Sequence, residues 1–428
     1  MKTLFSDCYV LQNGNEVLKN AYLGVDGDKI CYIGTQKPAE KYDCVKNMKN
    51  KLLIPGLYNC HTHTPMVLLR GVGSDLPLDE WLFKKIFPIE DRLTPEDISA
   101  GSMLAVMEMI ACGTVSFSDM YFEPQKTVEA AVSAGMKANI CRPVQAFDDT
   151  PPEKSERIRQ SIELYDSYNG FDNGRILVDF CVHAEYTCNE STVRYYSGLC
   201  AERHGNMHIH LSETEKEHLA CIEKYGKTPA QWFEALGAFD SRAFAAHCVA
   251  VTDGDIEIMK RRGVSVVHNP TSNMKLGSGF APLEKLFAAD VNVALGTDGA
   301  ASNNNLNLLE EMHLAGVIHN GFMRNATVMP PERVINMATK NGAYLQGRQN
   351  CGELKTGFKA DIAAISLEAA HMYPCLDAAA LLVYSAQGAD VCLTMCDGRI
   401  LYENGEYKTL DSEKVLFSAK KAVERLYG

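Results

Sequence analysis

Eight times between residues 52 and 298 the chain repeats one pattern. A short apolar run ends on a single polar side chain, and a stretch of helical character follows. Residues 52–60 close on His61, 114–118 on Asp119, 137–141 on Arg142 and 176–182 on His183. Residues 207–209 close on His210, 243–246 on His247, 264–267 on His268 and 291–297 on Asp298. Apolar runs that do not alternate with polar residues suit a parallel sheet covered on both faces. Eight strand–helix units then imply an α/β fold of the closed (β/α)8, TIM-like type. The closing residues fall at the C-terminal ends of the strands, the face on which such barrels place their chemistry.

Local signals agree. Thr94-Pro95-Glu96-Asp97 reads as an N-cap, a proline at the first helical position and early carboxylates, with Met103, Met107 and Ile110 at helical spacing and Gly113 as the stop. Residues 252–262 end on Gly263 in the same way. The two ends of the chain have a different texture. Short β-branched and aromatic runs are broken by turns such as Asn13-Gly14 and Asp397-Gly398, and a helix over 412–426 takes Ser412 as its cap. These ends pair into a small composite β-sandwich domain, residues 1–60 with 361–428, beside a catalytic barrel over 61–360.

Composition narrows the function. With 42 Lys+Arg against 54 Asp+Glu the net charge is −12, and no basic stripe is present, which argues against nucleic acid or an anionic membrane as partner. No apolar run reaches the length of a membrane span, and the N-terminus lacks the pattern of a signal peptide. The 15 cysteines are scattered with no C-x-x-C pair, so reduced thiols in a cytoplasm are expected, with Cys181 and Cys248 as small hydrophobes. Gly71-Val72-Gly73 and Gly277-Ser278-Gly279 lack the third glycine of a dinucleotide fingerprint, and no P-loop pattern occurs. His183-Ala184-Glu185 mimics half of a cytidine-deaminase zinc motif, but no P-C-x-x-C follows it.

In an extended segment residues i and i+2 point the same way, so His61 and His63 can reach one ion. A lone H-x-H arises by chance, and His208-Ile209-His210 is a second in this chain. Joined with His210 and Asp298, the first pair gives three imidazoles and a carboxylate. That donor set suits one divalent ion, Zn2+ first and Fe2+ or Mn2+ after it. Singly, His210 reads equally as a buried core histidine and Asp298 as a turn residue. Glu213 follows His210 by three residues and can carry a proton between water and substrate. Glu215 and Glu217 read as helix-start carboxylates. His247 can hydrogen-bond the attacking oxygen, and His268 is expected to fix its own loop. Trp81 is either a pocket wall or core packing.

Longer segments carry a resemblance. Residues 55–71 (PGLYNCHTHTPMVLLRG), 75–82 (DLPLDEWL), 210–214 (HLSET), 245–249 (AAHCV), 268–279 (HNPTSNMKLGSG) and 295–304 (LGTDGAASNN) are similar to the amidohydrolase superfamily. Within it they resemble the 5-methylthioadenosine/S-adenosylhomocysteine deaminases, and the similarity runs to Gly357-Phe358-Lys359-Ala360-Asp361. The resemblance implies metal ligands at His61, His63, His210 and Asp298, and catalytic roles for Glu213, His247 and Asp298. It implies substrate contacts from Glu90 to a ribose diol, from His183 to the purine or sugar, from Arg142 to the 5′ substituent, and from Glu213 and Asp298 to the reacting atoms. The run ending in His183 holds no lysine to bridge a second metal, so one ion per subunit is expected. Family members that take S-adenosylhomocysteine use a second arginine after the third strand; here Arg157 and Arg159 are both open for it. The implied reaction is hydrolytic deamination of adenosine, 5′-deoxyadenosine, 5′-methylthioadenosine or S-adenosylhomocysteine, a small-molecule partner, with homo-oligomer formation left open. A guanine- or triazine-type amidohydrolase is the alternative.

Overall fold

Proline and glycine at 55 and 56 divide the chain's first long apolar run between two sheets. The computed structural model describes residues 1–12, 14–148 and 150–428. Asn13 of the expected Asn13-Gly14 turn and Asp149 of the loop before Arg157 lie outside the described residues. Five strands open the chain: β1 (Lys2–Leu11), β2 (Val17–Asp26), β3 (Lys29–Gly34), β4 (Cys44–Asn47) and β5 (Lys51–Pro55). Nine parallel segments follow: β6 (Leu57–Thr62), β7 (Thr114–Met120), β8 (Lys137–Cys141), β9 (Ile176–Val178), β10 (Phe180–Val182), β11 (Asn206–Leu211), β12 (Arg242–His247), β13 (Ser265–His268) and β14 (Val293–Leu295). The chain ends with β15 (Ile362–Ser366), β16 (Val391–Cys396), β17 (Arg399–Glu403), β18 (Glu406–Tyr407) and a helix over Ser412–Tyr427.

The run at 52–60, expected as one strand, is therefore two. β5 pairs with β1 and β15, and β6 pairs with β7. The break needs Gly56, because a Cβ there would stand 2.4 Å from Val115 Cγ1. The nine parallel segments form eight strands, since β9 and β10 are one run interrupted at Asp179. Asp179 accepts from the side chains of Asn139 and Asn206, which turns a buried carboxylate into a cross-link. The ring closes between the last strand and the first: Asp298 N–H donates to the His61 carbonyl at 2.9 Å, and Thr297 N–H to Asn59 Oδ1 at 3.0 Å. This is the (β/α)8 barrel.

The end segments form one nine-stranded mixed sheet in the order β18-β17-β16-β15-β5-β1-β2-β3, with β4 beside β1. The β2–β3 turn meets the β16–β17 turn, where a Cβ on Gly398 would fall 1.9 Å from the Gly27 carbonyl oxygen. The sheet thus folds over on itself around Phe5, Val10, Leu23, Ile30, Leu53, Ile362 and Leu393.

Thr94 caps the helix Pro95–Ala111 in a reciprocal capping box with Asp97, and Thr252 caps Asp253–Arg262 in the same way with Asp255. The last helix departs from expectation. Asp411, not Ser412, is the cap and accepts from Lys414 N–H, because a carboxylate is both the stronger acceptor and favoured by the helix dipole. All 15 cysteines are free, and Cys181 and Cys248 are buried. Among the described residues no helix is long and apolar enough to cross a membrane.

Candidate active site

At the C-terminal rim of the barrel, β6 carries His61 next to its last residue, and His63 follows the strand. β11 carries His210, β12 ends in His247, and Asp298 follows β14. The ligand atoms of His61, His63 and Asp298 lie within 4.8 Å of one another, as do those of His61, His210 and His247. His61 belongs to both sets, so the five side chains form one cluster. His61 is fully buried, and its Nε2 has no hydrogen-bond partner among the described residues. A buried nitrogen of this kind calls for a partner that the protein does not supply.

Each imidazole is oriented from behind. His63 Nδ1 lies 2.6 Å from the Met120 carbonyl oxygen, and His210 Nδ1 lies 2.8 Å from that of His183. A carbonyl can only accept, so both Nδ1 atoms carry the proton and the two Nε2 atoms are the ones turned toward the cluster. Against its burial, the Asp298 carboxylate raises His63 to about 9. His61 Nδ1 lies 2.9 Å from His208 Nε2. Burial holds the His61 imidazole down at about 4 and His210 well below its ordinary value, which keeps both neutral.

Asp298 completes the set. Its Oδ1 stands 3.5 Å from His61 Nε2 and 3.2 Å from His63 Nε2. Its Oδ2 accepts from Ser272 Oγ at 2.6 Å and from Ser302 Oγ at 2.8 Å. Burial opposes the charge, yet the two imidazoles hold the carboxyl well below the usual range. Two of these residues have left-handed backbone, Asp298 at φ +61° and His247 at φ +74°. Strain of this kind in non-glycine residues is stored where the surroundings over-determine a site.

Beside the cluster opens a cavity. Glu213 lines it, buried, with Oε2 3.8 Å from His247 Nε2. Burial pushes its carboxyl up to about 7, against the pull of His247. His247 Nδ1 lies 2.8 Å from Asn273 Oδ1, which can only accept, so Nδ1 carries the proton. Glu217 does more than start its helix. It forms the capping box with Thr214, and its Oε2 accepts from Glu213 N–H at 3.0 Å, which fixes the main chain of Glu213.

The opposite wall comes from residues 78–90 and from the ends of β7 and β8. Trp81 is part of it, as are Ile86, Phe87, Phe122 and Tyr186. Glu90 faces the cavity and is not a surface charge. Tyr121 O–H donates to its Oε1 at 2.6 Å, and burial raises its carboxyl. His183 lines the same space, and burial holds it down at about 3.

Arg142 is the expected residue that the structure does not bring to the cavity. Its Nε donates to Gln160 Oε1 at 3.2 Å and its Nη1 to the Pro143 carbonyl at 3.0 Å. The guanidinium stands 5.2 Å from the ring centre of Phe122, behind the wall that Phe122 and Pro143 form. Arg159 is taken up by Glu156 and Glu163 on the surface. Arg157 donates to the Gln145 carbonyl at 3.0 Å, lies over Phe147 and forms no ion pair among the described residues. His268 packs away from the cavity, with its Nε2 3.0 Å from His319 Nε2.

Sequence reasoning passed over His208, Ser272, Ser302, Asn273 and Tyr121. His208 had a signal: it shares a strand face with His210, so both point into the barrel. The two serines had none.

The family model described as Amidohydrolase family matches residues 52–401. The chain is 42% identical over 425 residues to a 5-methylthioadenosine/S-adenosylhomocysteine deaminase of Acetivibrio thermocellus, covering 98% of each chain. It is 41% identical over 427 residues to a 5′-deoxyadenosine deaminase of Methanosarcina mazei, covering 99% of this chain and 98% of the other. Among solved structures, an adenosine deaminase from Xanthomonas campestris with bound zinc matches with a TM-score of 0.93 at 30% identity, covering 99% and 98%.

Proposed function

The chain belongs to the amidohydrolase family, and on that premise we propose that its barrel rim deaminates an adenosine-type nucleoside by hydrolysis at C6. The products are ammonia and the inosine-type nucleoside. Near-full-length similarity to deaminases of 5′-substituted adenosines supports the substrate class. The observation that carries the reading is Glu213, a buried carboxyl poised near 7 beside His247 and next to a cluster of imidazoles.

His61, His63, His210 and Asp298 would hold one divalent ion per subunit. The His61 Nε2, unpartnered among the described residues, and the inward-turned Nε2 atoms of His63 and His210 fit such an ion. Three nitrogens and a carboxylate favour Zn2+, and the zinc in the Xanthomonas relative supports that choice. When bound, the ion supplies the Lewis acidity that lets water give up a proton near neutral pH.

The chain's own residues do the rest. Asp298 Oδ1 takes the proton released by the attacking water, while Ser272 and Ser302 hold Oδ2. Glu213, close to half-protonated at neutral pH, delivers a proton to ring N1 and makes C6 electrophilic. His247, with Nδ1 fixed on Asn273, offers Nε2 to the attacking oxygen. As the C6–N bond breaks, Asp298 passes its proton to the leaving amine, which departs as ammonia, and the C6 hydroxyl returns a proton to Glu213 as the carbonyl forms. Glu90, held at one oxygen by Tyr121, keeps acceptor capacity for the ribose diol. His183 borders the nucleoside. For an acidic 5′ substituent we assign Arg157; Arg142 supports Phe122 and Pro143 from behind.

The test is ammonia release from adenosine, 5′-deoxyadenosine, 5′-methylthioadenosine, S-adenosylhomocysteine, guanine and a triazine, with metal content measured on the same sample. Turnover of at least one adenosine derivative is expected. Release from guanine or the triazine alone would end the nucleoside assignment.

A further inference from the structure

We infer that Glu311, on the helix Leu308–Met323 outside the barrel, is a positioning residue for Asp298, acting through both serines that hold its carboxylate. The inference rests on the deaminase reading above for what Asp298 does, and on hydrogen bonds for how it is held.

Glu311 is fully buried. It lies in the first turn of its helix, where the dipole would favour a carboxylate that stayed in water. Its neighbour Glu310 does face outward, accepting from Asn305 Nδ2 at 2.8 Å. Burying a carboxylate without a cation is costly, and no lysine or arginine among the described residues pairs with Glu311. What it does have is two donors from two different segments, the short helix Pro270–Lys275 and the loop after β14. Oε2 accepts from the Thr271 main-chain N–H at 3.1 Å, and Oε1 accepts from Asn303 Nδ2 at 2.7 Å.

Those two partners are the chain neighbours of the serines on Asp298. Thr271 precedes Ser272, and Asn303 follows Ser302. Asn303 Nδ2 spends its second hydrogen on the Thr297 carbonyl at 2.7 Å, one residue before Asp298. A single carboxylate thereby joins the short helix after β13 (Pro270–Lys275), the loop after β14 and the main chain leading into Asp298. With Oδ2 engaged by both hydroxyls, Oδ1, which also accepts from Gly299 N–H at 2.8 Å, faces His61 and His63. Losing the clamp frees both serines together and lets the carboxylate turn. Outer partners of this kind cost about 10–100-fold in metal affinity or activity when removed.

The decisive experiment is Glu311→Gln in the full-length protein. The amide has nearly the same shape, but one end now presents donors to a donor, so one tie must break. Zinc affinity, read by competition with a chromophoric chelator, is expected to fall about tenfold or more. On the best adenosine derivative kcat should fall by a similar factor with KM nearly unchanged, since Glu311 touches no substrate. Asn303→Ala cuts the same clamp from its other end and remains informative if the first variant folds poorly. The double variant should lose no more than the worse single one. Zinc competition and kcat matching the parent in a folded Glu311→Gln protein would overturn the inference. So would additive losses in the double variant. If the parent deaminates no nucleoside, the functional reading fails, and the zinc competition still decides the role of Glu311.

Discussion

On the barrel side of the cavity the inward-facing groups are held from behind. His63 leans on the Met120 carbonyl, His210 on that of His183, His61 on His208, His247 on Asn273 and Asp298 on two serines. On the opposite side, residues 78–90 offer Trp81, Ile86, Phe87 and one polar group, Glu90, braced by Tyr121. That segment is tied to the barrel-side helix Glu215–Tyr225 by an exposed ion pair, Asp79 with Lys216 at 2.7 Å. The contrast separates two tasks. Chemistry needs atoms fixed to a fraction of an ångström, so strand ends and buried hydrogen bonds carry it. In the proposed function, recognition of the nucleoside falls to the facing wall, and recognition tolerates short helices and loops.

The largest expected effect lies on the barrel side. Glu213→Gln keeps the shape and loses the titrating proton, so kcat should fall by about 10²–10⁴-fold, while bound zinc stays at the parent level. A variant that turns over as the parent does would move the proton shuttle elsewhere. On the facing wall Glu90→Ala should act differently. It should raise KM for ribosides by about tenfold, the worth of a hydrogen bond or two to a charged group, and change kcat much less. An equal fall in kcat would mean that the wall takes part in chemistry, and the contrast between the walls would lose its basis.

The next effect is on stability and turns on the sign of a pKa shift. Burial raises Glu213 from 4.5 to about 7 in the folded protein. A carboxyl raised on folding binds its proton more tightly in the native state. Its contribution is therefore full below the unfolded value near 4.5 and is lost as pH rises through about 7. Glu213→Gln removes that dependence. The melting temperatures of metal-free variant and parent should be close near pH 4.5, and the variant should gain steadily up to about pH 7 and level off above it. A difference independent of pH would mean that burial is not what raises this carboxyl.

The sequence was most readable where the structure is most repetitive. Each barrel strand is buried on both faces, so its apolar run stands out, and the polar residue that ends it marks the rim. His61 and His63 were visible because a strand's period is two. The misses share a different cause. Gly56 splits a run whose residues are apolar on both sides of the break, so composition carried no sign of two sheets. Ser272 and Ser302 matter through their approach to Asp298 from a short helix and a loop distant in sequence, and a single hydroxyl there has no pattern. Arg142 stands where expected at the end of β8, but the direction of its long side chain is set by Gln160 and Phe122, which only the folded packing brings near.

The smallest effect should come from the strap between the walls. Lys216 and Asp79 are both well exposed, and exposed ion pairs are screened by water and weakened by salt. Lys216→Ala should therefore leave kcat and zinc binding unchanged and shift KM by no more than about twofold. The shift should vanish when the parent is assayed at high salt, because salt removes in the parent what the substitution removes in the variant. If Lys216→Ala instead lowered kcat, the recognition wall would have to close against Glu213 for turnover. Residues 78–90 would then belong with the barrel rim as part of one catalytic unit.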